Sequence, residues 1–181
     1  MPYMPVLPEK IELERITLFK SRVTDAEEIF YAYASKPEAT KYLSWKTHES
    51  IDDTRTYLSI VEKTWKQGLQ ASFAVRLKDS GRLIGACGCT FSDGVFQVGY
   101  VFSPVLWGMG YATESCRGLV AEILKVKHVN RISSFVDIDN HASARVLEKS
   151  GFKMEQVAPE YFVAPNQGGI RKDARIFSYP L

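Results

Sequence analysis

Trp107-Gly108-Met109-Gly110-Tyr111-Ala112 lies between a predicted strand over Val95 to Phe102 and a helical pattern whose apolar face begins at Ala112. The first amides of a helix find no acceptor inside the helix, and the helix dipole favours an anion at that end. Gly108 and Gly110 have no Cβ, so a phosphate can approach the main chain closely. The segment therefore predicts a phosphate-binding turn at the start of a helix.

Two well-known phosphate-binding patterns do not fit this turn. A dinucleotide-binding G-x-G-x-x-G would need glycine at Thr113, and a P-loop would need lysine followed by serine or threonine after its last glycine. Short glycine patterns are common, and a glycine-rich helix start that binds nothing is the alternative interpretation. The turn taken alone leaves both interpretations open.

On the carboxyl-terminal side of the turn the pattern predicts two helices and three strands. Apolar residues recur at helical spacing after Ala112, and Asp139-Asn140 can cap a second helix that Gly151 ends. The strands are Ile132 to Val136 and a final pair, roughly 152–164 and 171–179, joined by the turn Pro165-Asn166-Gln167-Gly168-Gly169.

On the amino-terminal side, alternating apolar residues predict four strands and two helices. The first helix is expected to open at a capping box, Thr24-Asp25-Ala26-Glu27, and to end before Pro37, and the second to open at Ser50 and stop at Gly68. The predicted strands are Ile11 to Phe19 and a three-stranded meander over 70–77, 83–91 and 95–102. Together the elements predict one domain over 1–181, a mixed α/β (α+β) fold with one central sheet and no Rossmann alternation.

The segment between the two amino-terminal helices, residues 36–49, is irregular and rich in aromatic residues. Tyr42, Trp45 and His48 fall within it. Such a loop either forms a lip over a substrate or covers the core. The lip is slightly favoured, which makes Tyr42 and Trp45 candidate substrate-binding residues.

The composition restricts the class of partner. The chain has 181 residues, with 23 Lys and Arg against 21 Asp and Glu, and this balance without a basic arm argues against nucleic acid. No apolar run has transmembrane length and the start does not resemble a signal peptide, so we expect a cytoplasmic protein that binds no membrane. Cys87, Cys89 and Cys116 are expected to be reduced core residues, and the scattered histidines indicate no metal site.

Four blocks of sequence, in order, resemble the GNAT acetyltransferases and, within them, the RimJ/RimL-like group that acetylates protein N-terminal amines. The resemblance covers nearly the whole chain and is far more specific than one glycine turn. The blocks are Glu14-Arg15-Ile16-Thr17-Leu18 with Asp25-Ala26, Val98-Gly99-Tyr100-Val101 with Trp107-Gly108-Met109-Gly110-Tyr111-Ala112-Thr113-Glu114, Asn140-His141-Ala142-Ser143-Ala144-Arg145-Val146-Leu147-Glu148-Lys149-Ser150-Gly151-Phe152, and Asp173-Ala174-Arg175-Ile176-Phe177-Ser178.

The resemblance implies a mostly antiparallel sheet that splays open between the fourth and fifth predicted strands, Val95 to Phe102 and Ile132 to Val136. Acetyl-CoA is expected to enter that cleft, with its diphosphate on the turn amides and its pantetheine arm paired with the strand as an added strand would be. The residues that the resemblance assigns to cofactor binding are Tyr100, Val101, Phe102, Trp107, Gly108, Met109, Gly110, Tyr111, Ala112, Thr113, Asn140 and Ser143.

Asn140 and Ser143 have two interpretations. The resemblance implies that Asn140 bonds the pantetheine and that Ser143 points toward the acetyl sulfur, and positions 140 and 143 share one face of a helix. The residues alone favour an N-cap for Asn140 and a small interior residue for Ser143. With the resemblance, ligand contact is favoured.

Gln97 departs from the family pattern, because many relatives have a glutamate two residues before the Gly-Tyr and use it to deprotonate the amine. An amide cannot hold that proton. An α-amine with a pKa of about 7.7 to 8.0 is roughly a tenth neutral at pH 7, whereas a lysine amine near 10.4 is neutral about once in two thousand molecules. The loss of a base is therefore least costly for an α-amine.

We hypothesise that Gln97 orients a water or the amine, that main-chain amides near Val101 polarise the thioester oxygen, and that Ser143 donates to the leaving sulfur. Gln97 and Ser143 are thus the candidate catalytic residues, and Gln97 is also expected to contact the acceptor. Glu114 is a weaker candidate for the base, because its place in the first helical turn suits the helix dipole.

The expected function is an acetyl-CoA-dependent N-acetyltransferase that acts on a protein or peptide N-terminus. A small-molecule amine, such as a polyamine or an antibiotic, is the alternative acceptor, although a polycation would need clustered carboxylates. A catalytically silent CoA-binding module is the alternative from another class. The sequence is compatible with a homodimer and does not decide the oligomeric state.

Overall fold

The computed structural model describes residues 7–181. Its strands are β1 (Lys10–Glu12), β2 (Ile16–Lys20), β3 (Gln70–Leu77), β4 (Leu83–Ser92), β5 (Val95–Phe102), β6 (Arg131–Asp137), β7 (Lys153–Ala164) and β8 (Ile170–Tyr179). Within residues 7–181 they form one eight-stranded sheet in the order β1-β2-β3-β4-β5-β6-β8-β7. Only the β5–β6 pair of this sheet is parallel. The predicted mixed α/β fold with one central, mostly antiparallel sheet is confirmed.

Helices cover both faces of the sheet. A 3₁₀ turn (Val23–Asp25), α1 (Ala26–Ile29) and a π-helical turn (Phe30–Ala34) follow one another without a break, and α2 is a short helix (Pro37–Thr40). The longer helices are α3 (Ile51–Lys66), α4 (Tyr111–Ile123) and α5 (His141–Lys149). Buried residues of α4 and α5 share the main core with the sheet, whereas α1 and α3 pack in a second cluster against β3 and β4.

The first predicted strand is wrong, because Ile11 to Phe19 is a hairpin and not one strand. Leu13 N–H donates to the Ile16 carbonyl over 3.0 Å, and the chain reverses there. Ile11 then pairs directly with Leu18 in the neighbouring strand. The reversal has a distant cause, since the Arg15 N–H donates to the Glu114 carboxylate of α4, over 2.8 Å, and not to a strand.

The capping box predicted at Thr24 is also wrong. The carboxylate of Asp25 accepts from the Arg22 N–H at 2.9 Å, so Arg22 is the N-cap and the helical segment begins two residues earlier than Thr24 would place it. The same carboxylate pairs with Arg76 at 3.0 Å. As predicted, the segment ends before Pro37, at Ala34.

Other local predictions are confirmed. The Ser50 Oγ accepts from the Asp53 N–H over 3.2 Å and begins α3. The meander and the final hairpin form as expected. In that hairpin the β7–β8 register shifts between Met154 and Gln156 and again between Ala158 and Phe162, and Glu160 has a φ of 47°.

The sheet splays open at its centre, as expected. β5 and β6 pair only over Val95 to Gln97 opposite Arg131 to Ser133, and beyond Gln97 the described residues of the two strands form no further pair. These are the fifth and sixth strands and not the fourth and fifth, because the amino-terminal hairpin adds one. A cleft between two otherwise continuous halves of a sheet is thereby formed.

Candidate active site

The glycine-rich turn has an open main chain. Gly108 and Gly110 have φ values of 79° and 84°, in the left-handed region that favours glycine, and Gly110 is the N-cap of α4. A Cβ added at Gly108 would meet no atom within 4 Å. None of the amides from Gly108 to Thr113 donates to an acceptor in residues 7–181. The turn lies at the start of a helix, as predicted, and leaves a row of amide donors and a dipole end free for an anion.

An arginine from the amino-terminal hairpin holds this turn. Arg15 Nε donates to Glu114 Oε2 at 2.7 Å and its Nη1 to the Met109 carbonyl at 3.0 Å. Its guanidinium lies 4.6 Å from the centre of the Tyr111 ring. Glu114 is thus an ion-pair partner, which argues further against its acting as the base. Sequence reasoning missed the role of Arg15, because no local signal connects it to α4.

The splay contains a cavity of about 250 Å³. It brings together seven residues that the sequence analysis placed at the site from different parts of the chain, namely Tyr42, Trp45, Gln97, Tyr100, Val101, Asn140 and Ser143. Phe102 and the turn residues Trp107, Gly108, Met109, Gly110, Tyr111, Ala112 and Thr113 lie outside its lining. The candidate site thus has two parts, a cleft and a neighbouring turn.

Along β5, the backbone N–H and C=O groups of every second residue point into the cleft. Ser103 N–H donates to the Ile84 carbonyl at 2.8 Å, and Val101 is opposite Ala86 in the same register. Since antiparallel pairing alternates, the Val101 amide points toward β4, and the groups on the cleft side are those of Tyr100 and Phe102. Of the main-chain amides near Val101 that were expected to polarise the thioester oxygen, those of Tyr100 and Phe102 are therefore the ones on the cleft side. The Phe102 carbonyl already accepts from the Trp107 indole at 3.0 Å.

Asn140 and Ser143 lie at the start of α5, beside the cleft. The Asn140 Oδ1 accepts from the Ser143 N–H at 3.1 Å, so Asn140 is an N-cap. Within residues 7–181 its side-chain nitrogen has no acceptor and the Ser143 Oγ has no partner, so the cap leaves polar groups for a ligand. The Tyr100 hydroxyl donates to the Ser143 carbonyl at 2.8 Å and joins β5 to α5 across the cleft. Burial raises the pKa of Tyr100 well above 10, so the hydroxyl stays a donor.

Gln97 borders the cavity and is half-buried. It lies opposite Thr90 in β4 and Ser133 in β6. Its side-chain amide makes no hydrogen bond within the described part of the chain. The amide is therefore placed to bind a water or an amine but carries no proton-accepting group.

Asp137 is the one carboxylate in the described lining of the cavity, and sequence reasoning missed it. Its side chain is completely buried. The carboxylate accepts from Gln167 Nε2 at 2.7 Å and from the Asp139 N–H at 2.9 Å, and Lys172 Nζ lies 3.7 Å away. With both oxygens engaged by the protein, Asp137 is suited to hold the end of β6. A polar residue at the end of an apolar strand was the available signal.

The other titratable groups of the cavity wall are uncharged near neutral pH. Burial raises the pKa of the Tyr33 phenol well above 10 and raises that of Tyr57. Burial also raises the pKa of the Cys87 thiol, and that of Cys89 to about 12. Both cysteines are free and buried, as expected. No thiolate nucleophile is therefore available from this wall.

An aromatic group forms part of the cavity wall. Trp45 and Tyr57 stack with their ring centres 5.9 Å apart, and His48 lies behind Trp45 at 5.0 Å. Burial lowers the pKa of His48, whose Nδ1 lies 2.8 Å from the Thr54 hydroxyl. Trp45 and Tyr42 border the cavity, and His48 is outside its lining.

Asn166, from the β7–β8 turn, fixes this aromatic loop. Its Nδ2 donates to the carbonyls of Thr40 and Trp45, each over 2.8 Å, and its Oδ1 accepts from the Thr47 N–H over 2.9 Å. The sequence analysis identified Asn166 only as a turn residue. Its partners lie more than a hundred positions away, so no local pattern could have indicated them.

Among residues 7–181 no three His, Cys, Asp or Glu side chains are grouped so that they could hold a metal ion. In the same part of the chain, no helix has the length and apolar character needed to cross a bilayer.

Comparison with known proteins adds the family. The sequence model of the acetyltransferase (GNAT) domain matches residues 15–153. An N-acetyltransferase from Bacillus licheniformis, p20, is 28% identical over 156 residues, which are 84% of this chain and 87% of p20. The residues matched by the family model, 15–153, include both the turn and the cleft described above.

Solved structures show the same fold at low sequence identity. RimL, a ribosomal L7/L12 α-N-protein acetyltransferase solved with coenzyme A, has a TM-score of 0.85 and 14% identity, covering 96% of this chain and 98% of RimL. The microcin C7 self-immunity acetyltransferase MccE, solved with acetyl-CoA and AMP, has a TM-score of 0.83 and 18% identity, covering 93% of each chain. At such identities the likeness concerns the fold.

Proposed function

Because this chain belongs to the GNAT family, and is thus an N-acetyltransferase with acetyl-CoA as donor, we propose that its acceptor is the α-amine of a protein or peptide N-terminus. The observation that carries the proposal is Gln97. It occupies the cleft where a carboxylate would be expected, and the single carboxylate in the described lining, Asp137, is already paired.

A site without a free base favours an amine that loses its proton readily. At pH 7 roughly a tenth of α-amines are neutral, against about one lysine side chain in two thousand. A neutral amine needs only to be positioned, and the proton that leaves it can pass to water. The nearly uncharged cavity wall also supports an acceptor with one amine over a polyamine, which would require several carboxylates.

The residues of the cleft have separate roles in the proposal. Gln97 orients the amine or an intervening water through its side-chain amide. Main-chain N–H groups of Tyr100 and Phe102, on the open edge of β5, donate to the donor, and Asn140 contributes its side-chain nitrogen. Ser143 Oγ donates to the sulfur that leaves. Each role matches a polar group that lies beside the cleft.

The turn suits the donor for independent reasons. Acetyl-CoA supplies an activated acetyl thioester and carries a diphosphate. The row of amides from Gly108 to Thr113, the open space at Gly108 and the amino end of α4 are what a diphosphate requires. The residues present therefore fit the donor.

The test measures thiol release from acetyl-CoA with matched acceptors. One peptide has a free α-amine and no lysine, and its partner has a blocked amino terminus and one lysine. We expect turnover with the first peptide, a kcat/KM that rises with pH to a limit near pH 8, and at least tenfold less activity with the second. Preference for the lysine peptide, or for a compact amine such as spermidine, would contradict the proposed acceptor, and CoA binding without any thiol release would indicate a silent module.

Gln97→Glu sharpens the same test. A carboxylate at this position would act as a base, so we expect kcat/KM for the lysine peptide at pH 7 to rise by a larger factor than that for the α-amine peptide. Ser92→Glu, on the neighbouring strand but outside the cavity lining, is the matched control for an added charge. An equal gain for both peptides would argue against Gln97 as the missing base position.

A further inference from the structure

Arg15 lies beside the amide row and has a donor that the protein does not use. We infer that Arg15 binds the donor directly, its Nη2 group donating to the diphosphate of acetyl-CoA, while its other nitrogens position the turn. The inference rests on acetyl-CoA as the donor and does not depend on which amine accepts the acetyl group.

The position of Arg15 is fixed from both sides. Its N–H donates to Glu114 Oε1 at 2.8 Å, and its carbonyl accepts from the Lys78 N–H at 3.0 Å. The neighbouring Leu13 packs so closely on α4 that a Cβ at Gly118 would come within 2.5 Å of its Cδ2. The hairpin turn is therefore docked on α4, and the Arg15 side chain starts from a defined point.

Two of the three guanidinium nitrogens of Arg15 donate to groups of the protein. Nε and Nη1 are used by Glu114 and by the Met109 carbonyl, whereas Nη2 has no acceptor in residues 7–181. A Cβ added at Gly110 would lie 3.4 Å from Nη2, so this nitrogen is adjacent to the amide row. The planar fork of arginine, held by two of its nitrogens, presents the third in one direction, and such a charge-assisted donor suits a phosphate oxygen.

Electrostatics gives a second argument. Glu114 lies in the first turn of α4, where its negative charge suits the helix dipole but repels a bound diphosphate. The Glu114 side chain is 16% exposed and that of Arg15 is 45% exposed, so the arginine lies nearer the solvent from which the donor arrives. Arg15 therefore offsets the carboxylate and presents a net favourable surface to the anion.

The alternative is that Arg15 only holds Glu114 in place, and calorimetric binding distinguishes the two. The variants are Arg15→Gln, Arg15→Lys and Glu114→Gln. The control is Arg131→Gln, because Arg131 of β6 is also a partly exposed arginine, 39% exposed, and is paired with a glutamate, Glu155. The ligands are CoA, 3′-dephospho-CoA, which keeps the diphosphate, and pantetheine, which has no phosphate. Thermal unfolding reports whether each variant folds.

We expect Arg15→Gln to weaken binding of CoA and of dephospho-CoA by the same factor, roughly tenfold, and to leave pantetheine unchanged. Arg15→Lys should weaken the binding of CoA by a smaller factor, because lysine keeps the positive charge. Glu114→Gln should bind CoA as tightly as the parent protein or more tightly, because Arg15 then has no anionic partner. Arg131→Gln should bind all three ligands as the parent does.

Three outcomes would overturn the inference. If Glu114→Gln weakens CoA binding as much as Arg15→Gln, the ion pair is only structural. If Arg15→Gln lowers the affinity for CoA but not for dephospho-CoA, the contact is with the 3′-phosphate. If the affinity for pantetheine falls by the same factor, the effect is on the whole cleft. Should Arg15→Gln fail to fold, the Glu114→Gln result decides alone, since weaker CoA binding there contradicts the inference. None of these measurements involves an acceptor, so the proposed function can fail independently.

Discussion

The donor side and the acceptor side of the cleft are built from different materials. On the donor side, the turn from Gly108 to Thr113 and the open edge of β5 offer main-chain groups. On the acceptor side, the wall consists of side chains, chiefly Tyr57 of α3 and Trp45, which lies on a loop that Asn166 holds through three main-chain groups.

This difference suggests how the two sides tolerate change. A main-chain site depends on backbone conformation and is insensitive to most side-chain substitutions, whereas a side-chain site can be altered one residue at a time. We therefore expect donor binding and acceptor use to be separable by mutation. Each of the following substitutions should affect one side and spare the other.

The largest effect is expected for Gly108→Ala on the donor side. The methyl group would occupy the open space at the amide row, and we expect CoA binding to weaken roughly thirtyfold, as for the loss of more than one charge-assisted hydrogen bond. Gly168→Ala is the matched control, because Gly168 has a φ of 78° and equally open space but lies in the β7–β8 turn. Both should lose about 1 kcal/mol of stability, and equal CoA binding in the two would contradict a main-chain donor site.

Asn166→Ala should act on the acceptor side. It leaves the Thr40 and Trp45 carbonyls and the Thr47 N–H without their partner, so we expect a loss of about 2 kcal/mol in stability and a roughly tenfold lower kcat/KM for the acceptor. The calorimetric Kd for CoA should change less than twofold. Asn130→Ala, which removes one bond to the Asp93 carbonyl, is the control. A parallel loss of CoA affinity would show that the two sides are not separable.

Ser143→Ala tests the boundary between the sides. We expect kcat to fall roughly fivefold, because a thiolate leaves readily and its protonation contributes modestly, with no change in CoA affinity. Ser150→Ala at the C-cap of the same helix, which removes a bond to the Val146 carbonyl, should leave kcat unchanged. Unchanged turnover in Ser143→Ala would remove this residue from the proposed machinery.

The smallest effect is a pH dependence confined to the acceptor side. Burial lowers the pKa of His48 below its ordinary 6.5, so the unfolded chain binds the proton more readily. His48 thus contributes stability above pH 6.5 that is lost as the pH falls toward its lowered folded value. We expect His48→Asn to show a smaller drop in Tm between pH 7 and pH 5 than the parent protein, while the CoA Kd of both changes equally. An identical drop would exclude this role.

The sequence predicted the features that depend on neighbouring residues and missed those that depend on distant ones. The turn was predictable because Gly108, Gly110 and the helix after them are neighbours in the chain, and the Ser50 cap is equally local. The hairpin at Leu13 was not, because the bond that shapes it comes from Glu114, 99 positions away. The Thr24 box failed for a different, local reason, since the Asp25 carboxylate caps the segment at the Arg22 N–H, three residues earlier.

The acceptor wall shows the limit most clearly. Tyr42 and Trp45 were correctly expected near the cleft, but Asn166 fixes them from the other end of the chain. The sequence indicated only that main-chain amides near Val101 face the cleft. The residues that do so depend on the register of the strand, because main-chain direction alternates along it.

The irregular course of β7 has a consequence for the protein in a crowded solution. β7 is an edge strand of the sheet, and an edge strand can pair with strands of other molecules and so begin aggregation. At Glu160 the N–H is taken by Asp173 Oδ1 at 2.9 Å and the carbonyl by Arg171 Nη2 at 2.7 Å. With its register interrupted twice and these groups occupied from within, the strand offers a foreign chain no long uninterrupted template.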